Sequence, residues 1–266
     1  MTNRKFSALI MAALSLAACS SERPDSKAGD LDAGVAQDVA VAERTALTKR
    51  PFEPLLDGEW IGNGISYGAF RDGEAPGEAL TSREHILEDL EILAQRWKLI
   101  RLYGADQQSL NILEVIEEND LPIRVMQGIW LDAHKTPQEN DEQVRLAIEY
   151  ANRFPDIIVA VNVGNEILVD WSYHRLDDID AVIGKIRQVR ASIRQPVTVA
   201  DDYNFWNKPH SRLVASEVDF VLMHAHPLWN GLLLQGALPW LQEQLGGSSI
   251  VNTLPLPSRE LARILP

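Results

Sequence analysis

Cysteine occurs once in the 266 residues, at Cys19. A lone cysteine excludes an internal disulfide framework and any Cys-rich metal cluster. Positive charge is also scarce, with 25 Lys and Arg against 38 Asp and Glu and a net charge of -13. That excess repels phosphate backbones and anionic lipid, so nucleic acid is not expected as a partner; neutral and cationic ligands stay open. The N-terminal apolar run from Phe6 to Ala18 falls short of the ~20 residues a spanning helix needs, and no later segment is long or apolar enough. No G-x-G-x-x-G follows a strand candidate, which weakens a nucleotide site, and no G-x-S-x-G marks a serine nucleophile. What is present is an ordinary globular composition, 45% hydrophobic and 24% charged, in a length that suits one large domain or two small ones.

Residues 1–19 read as an export signal, with Arg4 and Lys5 ahead of the apolar run. The run closes Leu16-Ala17-Ala18-Cys19, which resembles the bacterial lipobox and makes Cys19 the expected lipidation site. The other reading is an ordinary signal peptide whose cysteine is incidental. Ser20, rather than Asp, at the next position resembles outer-membrane sorting, so the expected location is exported, as an outer-membrane lipoprotein or in the periplasm. Residues 20–50 hold Ser, Asp, Ala and Lys without a sustained apolar period and are expected to form a flexible tether. Residues 51–266 are left for the folded domain.

From Trp60 onward short apolar segments alternate with amphipathic ones. Strands are predicted over Gly64–Gly68, Leu99–Tyr103, Pro122–Trp130, Ile157–Val163, Pro196–Ala200 and Asp219–His224. They are Val- and Ile-rich without strict alternation, as strands covered on both faces should be. Helices are predicted from the capping box at Thr81-Ser82-Arg83-Glu84, from Thr136-Pro137-Gln138-Glu139, from about Asp178 to Ile193, and from Ala237 to Leu245. The rhythm fits an open doubly wound sheet or a (β/α)8 barrel of the TIM type. Trp130, Trp171, Trp206 and Trp229 all follow strands three to six, where a barrel builds its active site. They are either core residues or the walls of an aromatic cleft; flat indole faces in such a cleft suit sugar rings, so carbohydrate is the expected ligand.

The fourth predicted strand leads into Asn165-Glu166, placing an acid at the barrel mouth where apolar walls can raise its pKa. Glu166 could protonate a glycosidic oxygen, with Asn165 bonding a sugar hydroxyl, or the pair could simply cap and solvate a strand end. Arg101 and Tyr103, Asp201, and His224 and His226 close other strands. Arg101 could orient a carboxylate or belong to a structural salt-bridge layer. His224 and His226 with Asp201 do not amount to a convincing zinc site, so no metal is expected. His85, His134, His174 and His210 are scattered and read as surface residues.

Five segments together resemble bacterial members of glycoside hydrolase family 17. They are residues 64–73 (GISYGAFRDG), 100–104 (IRLYG), 162–166 (NVGNE), 196–202 (PVTVADD) and 224–227 (HAHP). The resemblance covers roughly residues 60 to 245, in strand order. It implies a (β/α)8 barrel acting on β-1,3-glucan or related oligosaccharides by a retaining mechanism, without cofactor. Glu166 would be the general acid/base, with Tyr67, Arg101, Tyr103, Trp130, Asn165, Asp201, His224 and Trp229 binding substrate, and His226 standing where the family often has Tyr.

A retaining glycosidase needs a second carboxylate about 5 Å from the first. The family carries it in a Gly-Glu-Thr-Gly-Trp-like segment after the seventh strand, and no such segment is present. The remaining acids, Glu243 and Glu260, end no predicted strand. Two further βα units need roughly 60 residues, more than follow Pro227, so only about six of eight units are expected. A frame shift or termination near Gly246, or a partner chain supplying the missing strands, would each account for this. The alternatives to a glycosidase are a lipid-anchored carbohydrate-binding protein and an inactive truncated fragment.

Overall fold

The computed structural model describes residues 47–77 and 80–247. The proposed signal, Cys19 and nearly all of the proposed tether lie outside the described residues, as does Glu260. A short antiparallel hairpin of β1 (Leu55–Leu56) and β2 (Glu59–Trp60) precedes the main sheet. Six parallel strands follow in simple order: β3 (Ile65–Ser66), β4 (Leu99–Arg101), β5 (Arg124–Ile129), β6 (Ile158–Asn165), β7 (Val197–Asp202) and β8 (Leu222–His224). Each pairs with the next in sequence, curling into the arc of a partial TIM barrel. All six carboxyl ends therefore open on one side, called the mouth below; the amino ends form the floor.

Helices α1 (Arg83–Ala94), α2 (Gln107–Glu118), α3 (Pro137–Arg153) and α4 (Ile179–Ser192) connect β3 through β7. Short helices α5 (Tyr203–Trp206) and α6 (Ser211–Glu217) lie between β7 and β8, and α7 (Leu234–Gly247) follows. The start of α3 has the predicted capping box, with Thr136 and Glu139 satisfying each other's backbone amides and Pro137 in the first turn. The α1 boundary is one residue later than expected. Ser82 is its cap, accepting from the amide of His85, because the Thr81 hydroxyl is turned toward the carbonyl of Ala69 and the carboxylate of Glu74. Ile86 and Leu90 on its inner face are fully buried, each worth about 1.5–3 kcal/mol of apolar transfer. Helix α2 was not anticipated; Asp106 caps it, and Ile112, Leu113, Val115 and Ile116 bury its inner face.

Strand β7 is buried throughout, and β5 and β6 have one half-buried residue apiece, as the Val- and Ile-rich segments predicted. Strand β8 is half-buried at every position. The sequence places strand ends too early in two cases: β6 runs through Asn165 and β7 through Asp202. Gly128 is required in β5, since a side-chain carbon there would sit 2.3 Å from the carbonyl oxygen of Leu102. Among the described residues no helix is long and apolar enough to cross a membrane.

The tether expectation fails at its C-terminal end. Lys49 donates to the carbonyls of Ala215, Ser216 and Val218, and the guanidinium of Arg50 to those of Arg190, Ile193 and Gln195. Phe52 stacks on Phe220 at 4.4 Å. These carbonyls precede β7 and β8, so the two cations are fixed to the barrel floor. For Trp206 the core alternative holds. It is fully buried, with its indole N–H donating to the carbonyl of Leu222, and is core rather than cleft wall.

Candidate active site

Strand ends bring four predicted residues into one hydrogen-bonded chain at the mouth. Arg101, the last residue of β4, donates to Asn165 Oδ1 at 2.7 Å and contacts His224 Nε2 at 2.9 Å. His224 Nδ1 lies 2.8 Å from Glu166 Oε1. A guanidinium can only donate, so His224 accepts at Nε2 and carries its proton at Nδ1, toward Glu166. The pair is thus a neutral imidazole donating to a carboxylate. The side chain of Tyr103 lies beside Arg101, 5.1 Å from guanidinium carbon to ring centre, and is itself exposed.

This chain reverses the expected electrostatics of Glu166. The His224 hydrogen bond, with smaller help from the charges of His226 and Arg101, holds its pKa below the ordinary glutamate value. Partial burial opposes this and is outweighed, because a hydrogen bond donated to the carboxylate stabilises its charged form. Burial lowers Arg101 despite Tyr103 and Glu166, and its Nε has no hydrogen-bond partner among the described residues.

Glu166 sits in the left-handed region, with φ of 53°, a conformation that costs a non-glycine residue about 1–3 kcal/mol. Its corner is tied on several sides. The Glu166 amide donates to Ala200 O at 2.8 Å, His174 Nε2 lies 2.7 Å from Asn165 O, and the Leu168 amide donates to Asp201 Oδ2 at 2.8 Å. The preceding Gly164 has φ of 92° and leaves only 2.4 Å for a side-chain carbon against Ile167.

Two predicted substrate contacts have other partners. Asp201 is fully buried, and its oxygens accept from the amides of Leu168 and Asp202; burial pushes its pKa up to about 7, against those two bonds. It therefore braces the corner behind Glu166 instead of facing a ligand. The Tyr67 hydroxyl donates to Asp89 on α1 at 3.0 Å and does not join the Arg101–Glu166 chain. Burial, then the Asp89 charge, pushes its pKa up. Trp130 is half-buried and stacks on His174 with ring centres 4.8 Å apart. Trp229 is open to solvent beside His226, at 4.7 Å.

His174 was read as a surface residue and is instead buried at the site. A single histidine between Tyr173 and Arg175 gives no periodic signal of burial. Exposed Trp171 and Tyr173 belong to the same loop.

Glu166, His224 and His226 place three donor atoms within 4.8 Å of one another. The set does not suit a cation, because His224 presents an N–H to Glu166 and Arg101 occupies its other nitrogen.

A description of the BtgE/BtgC glycoside hydrolase domain matches residues 64–253. The chain belongs to that family. Named relatives of this BtgE/BtgC domain include a putative glucan endo-1,3-beta-glucosidase btgC of Aspergillus niger, 31% identical over 171 residues. A probable glucan endo-1,3-beta-glucosidase btgC of Aspergillus clavatus is 25% identical over 167 residues. Each match covers 60% of this chain but only 24% and 23% of the relative, so the chain spans about a quarter of those proteins. Both relatives are fungal, whereas the sequence motifs suggested bacterial ones.

Among solved structures, an endo-laminarinase from Formosa Hel1_33_131 superposes with a TM-score of 0.60 at 20% identity, over 76% of this chain and 64% of that one. A Rhizomucor miehei beta-1,3-glucanosyltransferase, an active-site mutant in complex with laminaritriose, gives 0.55 at 23% identity, over 70% and 66%. These likenesses establish the barrel fold. In this BtgE/BtgC domain, Glu166 is the only acid bonded to the Arg101–His224 chain among the described residues. Glu243 lies exposed on α7.

Proposed function

We propose that the chain is a glycosidase-type domain for β-1,3-linked glucan, with Glu166 as the carboxyl that exchanges a proton with the glycosidic oxygen. The observation that carries this reading is the Asn165–Arg101–His224–Glu166 chain at the carboxyl ends of the strands, in a member of a glycoside hydrolase family. Within that chain Asn165 is the residue for a sugar hydroxyl, Tyr103 stands beside it for a ring face, and exposed Trp229 offers a second ring platform.

The lowered pKa of Glu166 suits the base half of a retaining cycle, in which it takes a proton from the attacking water or sugar hydroxyl. The acid half requires a raised pKa. In a retaining enzyme the negative nucleophile supplies that rise, and its neutralisation in the glycosyl-enzyme removes it. Glu166 is the only acid bonded to the Arg101–His224 chain among the described residues, which leaves room for a second reading: a domain that binds glucan without turning it over. The relatives' names support glucan in either case.

Export is part of the proposal, with Cys19 acylated and the domain carried beyond the inner membrane. Metabolic labelling with a fatty-acid analogue tests this, and Cys19→Ser should abolish incorporation.

Incubation with laminari-oligosaccharides decides between the two readings. Release of shorter or longer glucans, abolished in Glu166→Gln while oligosaccharide binding persists, establishes the glycosidase. Saturable binding without product selects the binding domain, and no binding to either protein sinks both.

A further inference from the structure

We infer that His174 is a positioning residue that holds the Asn165–Glu166 peptide in the orientation that brings the Glu166 carboxylate to His224. Its own state is fixed by its neighbours. The carbonyl of Asn165, 2.7 Å from Nε2, only accepts, so Nε2 carries the proton. Nδ1 then accepts, and Ser172 Oγ stands 3.2 Å away to donate. Trp130 lies against one part of the ring at 4.8 Å, and Tyr173 meets it edge-on at 4.7 Å. Burial, two hydrogen bonds and two aromatic contacts leave the imidazole one tautomer and one orientation.

What it holds is a single peptide plane. The N–H of that plane, on Glu166, donates to Ala200 of β7, and its C=O, on Asn165, accepts from His174. The plane is thus tied at both polar ends. The φ rotation of Glu166 starts from this plane, and at 53° it is strained. With the carbonyl released, rotation of the plane would relax the strain and swing the carboxylate away from His224 Nδ1. Hydrogen bonding, not ring bulk, is the part of His174 that this role needs.

The inference rests on reading Glu166 as the working carboxylate, but its test needs no turnover. Carbon-13 labelling of glutamate side chains follows the Glu166 carboxyl through a pH titration, with Glu166→Gln assigning the signal. The groups facing it are His224, His226, Arg101 and Asp201, all retained in the variants. His174→Phe keeps an aromatic ring and loses the donor; His174→Gln keeps a donor near the Nε2 position and loses the ring. The wild-type midpoint should lie below the ordinary 4.5, as the His224 bond requires. His174→Gln should retain it, and His174→Phe should return it toward 4.5 and weaken the His224 Nδ1–H resonance.

A His174→Phe midpoint equal to wild type overturns the inference. So does a His174→Gln midpoint that rises, since the ring and not the bond would then matter. Should the Phe variant fail to fold, the Gln variant decides alone. Absence of laminaritriose turnover in the wild type would count against the proposed enzyme and leave this comparison standing.

Discussion

At the floor of the barrel, Asp219 takes Arg190 at 2.9 Å, the amide of Arg50 at 2.7 Å and that of Val197 at 2.8 Å, with its side chain sealed from water. At the mouth, Glu166 has one side-chain donor among the described residues, His224, and part of its side chain stays open. Both are acids in arginine-bearing networks, at opposite ends of the same sheet. The floor acid has bonds to three separate segments and works as a fastener. The mouth acid sits in a strained corner, with bonding capacity left for something outside the chain. Exposed Tyr103, Trp171, Tyr173 and Trp229 belong to loops following strand carboxyl ends, whereas Phe52 and Phe220 stack on each other at the floor. Charge is consumed at one end and kept available at the other.

The contrast breaks most visibly on removing a carboxylate. Asp219→Ala strands the buried Arg190 guanidinium and should cost about 3–5 kcal/mol of stability, read by urea denaturation. Glu166→Gln should cost no more than about 1 kcal/mol, since it leaves a neutral group at a half-open site. Equal losses would mean that the mouth is as structural as the floor.

A pH series separates two acids within the mouth. Asp201 has a raised folded pKa of about 7 against 3.8 ordinarily. The stability it contributes is therefore complete below 3.8 and is lost as pH rises toward 7, with a slope up to about 1.4 kcal/mol per pH unit. Glu166 has the opposite sign: its contribution is present above 4.5 and is lost as pH falls through its lowered folded value. Asp201→Asn should flatten the wild-type decline between pH 4.5 and 7, and Glu166→Gln should leave that decline in place. Denaturation midpoints across that range are the measurement, and a decline unchanged in Asp201→Asn would remove Asp201 as its source.

The smallest stability effect belongs to Trp229→Ala. Its side chain is three-quarters exposed, so unfolding free energy should stay within about 0.5 kcal/mol. Laminari-oligosaccharide affinity should fall roughly five- to tenfold, the loss of about 1 kcal/mol of ring contact. Calorimetry reads both quantities on one preparation, and an unchanged affinity removes Trp229 from the glucan face.

The sequence revealed the parts of this molecule whose physics is periodic or local. Val- and Ile-rich β5, β6 and β7 are buried as predicted, and Thr136 with Glu139 marked a helix start through a bond spanning three residues. Residues that act through distant backbone escaped. Lys49 and Arg50 are polar, and their acceptors are carbonyls more than 100 residues away, a pairing that side-chain composition does not encode. Asp201 follows Ala200 at a strand end, as a mouth residue would, yet two backbone amides claim it. His174 is tied to the backbone carbonyl of Asn165, nine residues before it, an acceptor that no side-chain pattern announces. The Arg101–His224–Glu166 chain was legible because Arg101 and His224 close strands, Glu166 directly follows one, and parallel strands gather their ends.

Lys49 and Arg50 also decide how the domain would bear mechanical load. Whatever pulls on the polypeptide ahead of Leu47 meets the bond from Arg190 to the carbonyl of Thr48 and then those to six backbone carbonyls beneath β7 and β8. Those bonds share the load in parallel, so they must be loosened together rather than unzipped in turn. The loaded edge lies at the opposite ends of the strands from Glu166. Tension from that side would be carried by the floor before it could disturb the geometry around the carboxylate.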